Sequence, residues 1–339
     1  MRAWEIGSFG RDGLRLIERA EPSPGVGQVR VRVLAASLNY RDLLMVRGEY
    51  NPRQPLPLVP LSDGVGIVDA VGPGVDGKLV GRRFASLFVQ GWIDGELTAD
   101  ILRTTLGGPR DGMLAESVLL DAAGIVPVPD HLDDVEAATL SCAALTAWSA
   151  LVEQGRINAG DTVLVQGTGG VSSFALQFAR IHGARVIATT SKPDLHDELR
   201  ARGASDVVDY KAEPEWGKRV RALTDGRGVD HVVEVGGAGT LGESLRAVRP
   251  GGTVSLIGVL AGGAAKVNLT PVLMNNVRVQ GVFVGHRRAF EAMNRAIARH
   301  RSRPVVDGVF DFADARAAFD RLASARHAGK VCIRVGASA

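Results

Sequence analysis

The sequence predicts an α/β protein of two lobes, a doubly wound parallel sheet joined to a smaller, mainly antiparallel β lobe. Three observations carry that expectation. From about residue 160, near-continuously apolar strands alternate with helical stretches, the pattern of a parallel sheet covered on both faces. Before about residue 125, short strands follow one another between glycine turns without such helices. The 339 residues are enough for two cores. The β lobe is therefore expected from residues 1–124 and 285–339, and the parallel-sheet domain from 125–284.

Taken in order, "QVRVRVLAA" alternates Val29, Val31 and Val33 with Gln28, Arg30 and Arg32, a half-buried strand. "GIVDAVGPGV", "VGRRFASLF" and "LAESVLL" read as further short strands. "DTVLVQ" opens the alternating region, and the helix after it places Val171, Phe174, Ala175, Phe178 and Ala179 on one face. Next come "ARVIATT", a helix over "PDLHDELRARGA", "DVVDY", a polar helix over 214–225, "VDHVVEV", the helix "TLGESLRAV", "GGTVSLIGV" and "VRVQGVFV". Six strands with crossover helices make a doubly wound sheet. The tail, with "RRAFEAMNRAIARH", "PVVDGVFDF", a helix and "KVCIRV", is expected to return to the first lobe.

Composition narrows the function. Net charge is +3 with dispersed basic residues, which argues against nucleic acid as a partner. No window supplies the ~18 apolar residues of a membrane span, and "MRAWEIGSFGRDG" lacks the apolar run of a secretory signal. A cytoplasmic location is expected, with Cys142 and Cys332 as buried free thiols.

The stretch "VLVQGTGGVS" lies between a strand and an amphipathic helix, the setting of a dinucleotide-binding loop. Gly167 permits the tight turn, and Gly169 lets the backbone approach a pyrophosphate at the helix N-terminus. Thr168, Gly170 and Val171 complete the loop. The third glycine of the fingerprint is replaced by Ser172, whose hydroxyl is placed to bond either a backbone carbonyl or a phosphate. After the second strand stand Thr189, Thr190, Ser191 and Lys192, with no carboxylate before Asp194. A lysine there suits a 2′-phosphate, so NADP(H) is the expected cofactor and NAD(H) the alternative.

A metal is not expected. The histidines (131, 182, 196, 231, 286, 300 and 327) are dispersed, and two cysteines cannot form a four-cysteine zinc site.

With these residues in hand, the chain resembles the medium-chain dehydrogenase/reductase superfamily, in its zinc-free alcohol dehydrogenase-like and quinone oxidoreductase-like branch. The stretches "AASLNYRDLLMVRGEY", "PLVPLSDGVGIVDAVGPGV", "AATLSCAALTAWSAL", "VLVQGTGGVS", "GVDHVVEVGG" and "HAGKVCIRV" carry the likeness in family order. The resemblance implies a GroES-like catalytic domain with a Rossmann domain, and a substrate cleft between them. Zinc-dependent members have a cysteine at the position of Asn39 and a His-Glu pair at Ser62-Asp63, so no zinc is implied here. It further implies reduction of quinones or α,β-unsaturated carbonyls, Asn39 near the nicotinamide ribose, and Tyr50 as proton donor. Lys192 and Tyr210 would flank the 2′-phosphate. Gly258, Val259 and Leu260, with Phe283, Val284 and Gly285, would line the nicotinamide, and Thr146 and Lys330 would lie close to the cofactor. A homodimer joined through the edge strand "VRVQGVFV" is also implied.

Plainer roles compete. Asn39 and Asp42 suit a helix capping box, Ser62 and Asp63 a turn, and Glu234 a supporting position. Trp92 and Asp94 lie in a stretch, 90–112, that could shape the pocket. A metal-free alcohol/ketone dehydrogenase and a non-catalytic NADPH-binding sensor remain the alternative functions.

Overall fold

In a computed structural model that describes residues 1–336, the chain divides into two compact units. One contains residues 1–145 and the chain from Gly285 onward; the other contains residues 146–284.

The first unit is built from β1 (Arg2–Ile6), β2 (Leu14–Glu18), β3 (Gln28–Ser37), β4 (Asp63–Val71), β5 (Arg83–Ser86), β6 (Ser117–Asp121) and β7 (Ile125–Pro127). The chain returns to it after Gly285 with β14 (Val306–Asp311) and β15 (Lys330–Arg334). The main sheet runs β14-β15-β3-β4-β5-β7, with β6 also paired to β3, while β1 and β2 form a separate hairpin. Every pair involving β3 is antiparallel. Val29, Val31 and Val33 face the core as their alternation requires, but from Val33 to Ser37 every residue is buried. That half of the strand is covered on both faces, and it delivers Leu38 and Asn39 beside the start of β15, where Leu38 N–H bonds Val331 O at 2.9 Å.

The first unit extends to residue 145 rather than to 124. Backbone pairing is the reason: β7 pairs with β5, Ala85 opposite Val126, and the helix Asp134–Ala137 packs on β3 and β4. The tail does return to this unit, as expected.

The second unit holds β8 (Thr162–Gln166), β9 (Arg185–Thr190), β10 (Asp206–Asp209), β11 (Val229–Glu234), β12 (Val248–Leu256) and β13 (Arg278–Gly281), in the order β10-β9-β8-β11-β12-β13. All these pairs are parallel. The chain starts at the centre with β8, steps outward to β10, then crosses to β11 on the other side. Strand order therefore reverses beside β8, where open parallel sheets bind ligands at their carboxyl ends. β8 and β11 are buried throughout. Leu164, Ile187, Val232 and Val254 share one core with Trp216, Val220 and Leu245 of the covering helices, each such side chain contributing about 1.5–3 kcal/mol by burial. Among the described residues, no helix is long and apolar enough to cross a membrane.

Candidate cofactor and catalytic site

The loop after β8 has the geometry an anion needs. Gly167 sits at φ +72°, which a side chain would strain, and its N–H bonds Thr189 O at 2.7 Å, pinning the loop to β9. Gly169 is the N-cap of the helix Gly170–Ile181, and a Cβ built on it would meet only open space. A backbone approach from outside is thus unobstructed, toward the amide groups of a 12-residue helix whose first turn lacks intrahelical acceptors. Ser172 Oγ donates to Gln166 O at 2.5 Å, so in this structure the hydroxyl bonds the backbone carbonyl.

The adenosine-side expectations come together. Asp209 pairs in register with Thr190, so Tyr210 follows β10 alongside Ser191 and Lys192, and Tyr210 N–H bonds Thr190 O at 3.2 Å. Lys192 Nζ reaches Thr168 Oγ1 at 3.4 Å, across from the end of β9 to the glycine loop. The first carboxylate, Asp194, lies beyond in the exposed turn Pro193–Leu195.

Further loops leave the same carboxyl edge. Gly258 follows β12, and a Cβ there would stand 2.6 Å from Val235 O, so only glycine fits. Val259 and Leu260 next to it are half exposed. Val284 follows β13 at φ +45°, a strained conformation for a β-branched residue. Thr146 is buried at the first position of this unit. Glu234 takes the supporting position: Oε1 accepts from Gly236 N–H (2.8 Å), Gly237 N–H (2.9 Å) and Thr240 Oγ1 (2.6 Å), and Oε2 from Gln166 Nε2 (2.8 Å) and Ser244 Oγ. This carboxylate locks the ends of β8 and β11 together.

In the first unit, Asn39 and Lys330 meet directly. Lys330, 3% exposed, donates from Nζ to Asn39 Oδ1 at 2.5 Å and to Leu38 O at 2.7 Å, with Asp63 Oδ2 at 3.7 Å. Asn39 caps the helix Tyr40–Arg47 and closes a capping box with Asp42, whose Oδ2 accepts Asn39 N–H at 2.8 Å. The helix cap and the contact with Lys330 therefore coexist at Asn39. Ser62 and Asp63 do not form a turn. Asp63 begins β4 fully buried, accepting from Ser62 Oγ at 2.7 Å and from Cys142 N–H at 3.1 Å. Burial raises the Asp63 carboxyl above its ordinary range, against the pull of Lys330. Burial also lifts Asp42 to about 6, with the Arg41 guanidinium at 3.6 Å opposing.

Tyr50 joins this cluster through Arg41. The guanidinium lies 4.9 Å from the centre of the Tyr50 ring and 5.0 Å from that of Phe88, and donates to Leu106 O (3.0 Å) and Gly108 O (3.2 Å). Tyr50 is 42% exposed and lines a cavity of about 220 Å³ with Met45, Gln54, Leu102 and Gly108. Leu102 and Gly108 come from the 90–112 stretch, so that stretch does shape a pocket. Trp92 and Asp94 instead anchor it: Arg287 N–H bonds Trp92 O at 2.9 Å, and Asp94 pairs with Arg288 at 3.1 Å.

The donors around Asn39 do not suit zinc. Asn39 Oδ1 already accepts from an ammonium, Ser62 Oγ is committed as a donor to Asp63, and Asp63 faces that same ammonium. Burial raises the Cys142 thiol far above its usual range, so it carries no thiolate at neutral pH. Burial pushes Cys332 up to about 12. Among the described residues, no group of three or more His, Cys, Asp or Glu side chains could hold a metal ion.

Arg41, Asp42 as a buried charge, and Gln166 were not singled out in the sequence. Arg41 left one signal: it lies four positions before Met45, on the buried face of a short helix.

Comparison with known proteins agrees with this fold. Residues 25–130 match the alcohol dehydrogenase GroES-like domain, and residues 170–299 match the zinc-binding dehydrogenase family. The chain is 39% identical over 315 residues to a zinc-type alcohol dehydrogenase-like protein of Schizosaccharomyces pombe, covering 91% of each. Among solved structures, it resembles an NAD-dependent alcohol dehydrogenase with 34% identity and a TM-score of 0.91, covering 99% of this chain and 100% of that one. It also resembles the quinone oxidoreductase of Thermus thermophilus, solved alone and with NADPH, with 31% identity and a TM-score of 0.78, covering 99% and 100%.

Proposed function

The chain belongs to the medium-chain dehydrogenase/reductase superfamily, as an alcohol dehydrogenase- and quinone oxidoreductase-like member, and from that premise we propose a zinc-independent, NADP(H)-preferring reductase of quinones or α,β-unsaturated carbonyls. The observation that carries the cofactor preference is the approach of Lys192 Nζ to Thr168 in the glycine loop, with no carboxylate at the end of β9. The quinone oxidoreductase solved with NADPH supports the same preference.

Bound NADPH supplies a hydride. The amides of the loop and of the first turn after Gly169 would hold the pyrophosphate, and Lys192 and Tyr210 would hold the 2′-phosphate. When a hydride adds to the β-carbon of an enone, the π electrons move to the carbonyl oxygen, and as the C=O bond re-forms the α-carbon takes a proton from water. The Tyr50 hydroxyl donates to that oxygen, while Arg41 fixes the phenol ring from behind. Asn39 orients the reacting partners. The donors present around Asn39 support a reaction that needs no zinc.

The test is a panel of quinones, enones and simple alcohols, followed by cofactor absorbance with NADPH, NADH, NADP⁺ and NAD⁺. Quinone or enone turnover with NADPH is the expected result. A metal-free alcohol/ketone dehydrogenase is the second reading, favoured by the 34% identity to an alcohol dehydrogenase; turnover of alcohols alone would establish it. Cofactor binding without any turnover would leave a sensor.

A homodimer and a cytoplasmic location complete the reading. β13 is the last strand of its sheet, with Val279 39% exposed, and Leu273 and Met274 beside it are 80% and 74% exposed. A second copy covering that edge would shelter them. Sedimentation equilibrium should show a dimer, and Leu273→Glu with Met274→Glu should give a monomer. Both cysteines are unpaired, as suits a reducing compartment.

A further inference from the structure

We propose that Lys330 is the built-in cation of this site, a positioning residue that holds the Asn39 amide in place and neutralises Asp63 where a metal-dependent relative would carry an ion. This deepens the reading above, because it takes Asn39 as the amide that orients the reacting partners.

The geometry supports the assignment at each bond. Lys330 is the first residue of β15, and antiparallel pairing of Cys332 with Ser37 brings it beside the end of β3. Its ammonium has three donors. One is bonded to Leu38 O and one to Asn39 Oδ1, and the third direction faces Asp63 Oδ2 at 3.7 Å. The side chain is 3% exposed and Asp63 is not exposed at all, so neither charge has water to stabilise it. A buried ammonium without partners would be strongly disfavoured. Here its partners are a carbonyl on rigid backbone, a carboxylate on β4 and the amide oxygen of Asn39, so the amide is fixed by two strands. The cap by itself holds that side chain only through the Asp42 amide, and the ammonium adds a second, charged bond to it. The same ammonium blocks an added cation, because it already occupies the electrostatic well that Asp63 and Asn39 Oδ1 create. The departure from a zinc-type ligand set is thus compensated.

The experiment compares Lys330→Met, the paired variant Lys330→Met/Asp63→Asn, Asn39→Ala, and the paired variant with Asn39→Ala added. Lys330→Met leaves Asp63 buried and unpaired, so its urea midpoint should drop, whereas the paired variant should recover most of it and remain usable. On any acceptor that the wild type turns over, kcat of the paired variant should fall at least about tenfold with the cofactor KM within about threefold. Asn39→Ala should cost a similar factor, and the combined variant no more than either, since both act through one amide. Wild-type kcat in the paired variant, or losses that multiply, would overturn the proposal. A readout independent of any acceptor is ¹⁵N relaxation of the Asn39 side-chain amide. It should be rigid in the wild type and mobile, with an order parameter below about 0.6, in the paired variant. An equally rigid amide in both would overturn the role of Lys330 even if the proposed reaction stands, and a mobile one would support it even if the reaction proves different.

Discussion

Ser172 Oγ donates to the carbonyl oxygen of Gln166 at 2.5 Å, tying the first turn of the helix after the glycine loop to the last residue of β8. The residue that departs from the dinucleotide fingerprint thus contributes a bond across the strand–helix joint. Ser172→Ala leaves that buried carbonyl short of a partner and should lower the unfolding free energy by about 0.5–1.5 kcal/mol. NADPH affinity should stay within about threefold. Urea unfolding and NADPH fluorescence read the two quantities, and a tenfold loss of affinity would mean that the hydroxyl serves the phosphate instead.

Lys192→Ala should weaken NADPH by about 1.5–3 kcal/mol, the range of a charged hydrogen bond, and hardly affect NADH. The side chain is half-buried, so screening places the loss toward the lower end. Titration with each cofactor decides it: equal losses for both would remove Lys192 from the 2′-phosphate site.

Tyr50→Phe removes one hydroxyl and keeps the ring that stacks on Arg41. Cofactor binding and stability should therefore persist, while turnover of an enone falls by about 10²–10⁴-fold. Quinones should suffer less, because their reduced oxygens accept a proton from water. Unchanged enone kinetics would exclude the phenol from the reaction.

Asp230 sets an acid limit on the second unit. Burial works to raise its pKa, but bonds from Arg227 (2.6 Å), the Thr162 amide (2.8 Å) and Arg249 (2.6 Å) outweigh it and hold the carboxyl well below its ordinary 3.8. With the folded pKa depressed, the stabilisation is complete above the unfolded value and is lost as pH falls through the folded one. Asp230→Asn should cost about 2–3 kcal/mol at pH 7, less than a fully buried pair because Arg227 is half exposed. Below about pH 4 the gap between the two proteins should narrow. Urea unfolding across pH would contradict this if the gap widened in acid.

Purified protein should contain no stoichiometric zinc and keep its activity in chelator, because Asn39, Ser62 and Asp63 are already committed to Lys330 and to one another. Elemental analysis finding about one zinc per chain, with activity lost on chelation, would contradict the donor assignment.

Much of the second unit was legible in the sequence because its signals are local. Strand–glycine–helix order needs only neighbouring residues, and β8 and its helix stand where "DTVLVQGTGGVSSFALQF" places them. The end of the first unit was not legible. The stretch after residue 124 changes texture, yet β7 is claimed by β5 through backbone pairing, which leaves no mark in side-chain periodicity. Ser62 and Asp63 read as a turn because a glycine follows, whereas the sheet buries both.

The sequence by itself determined the two-lobed α/β architecture, the parallel order of strands and helices, and the glycine turn between β8 and its helix. Each depends on residue type and short-range spacing. Only the tertiary structure decided that Ser172 bonds a carbonyl, that Arg41 stacks on Tyr50, and that Lys330 closes on Asn39 across 291 positions of chain. Those bonds join residues from distant segments. Their strength comes from burial, which removes competing water and leaves each charge to the partner the sheet register brings beside it.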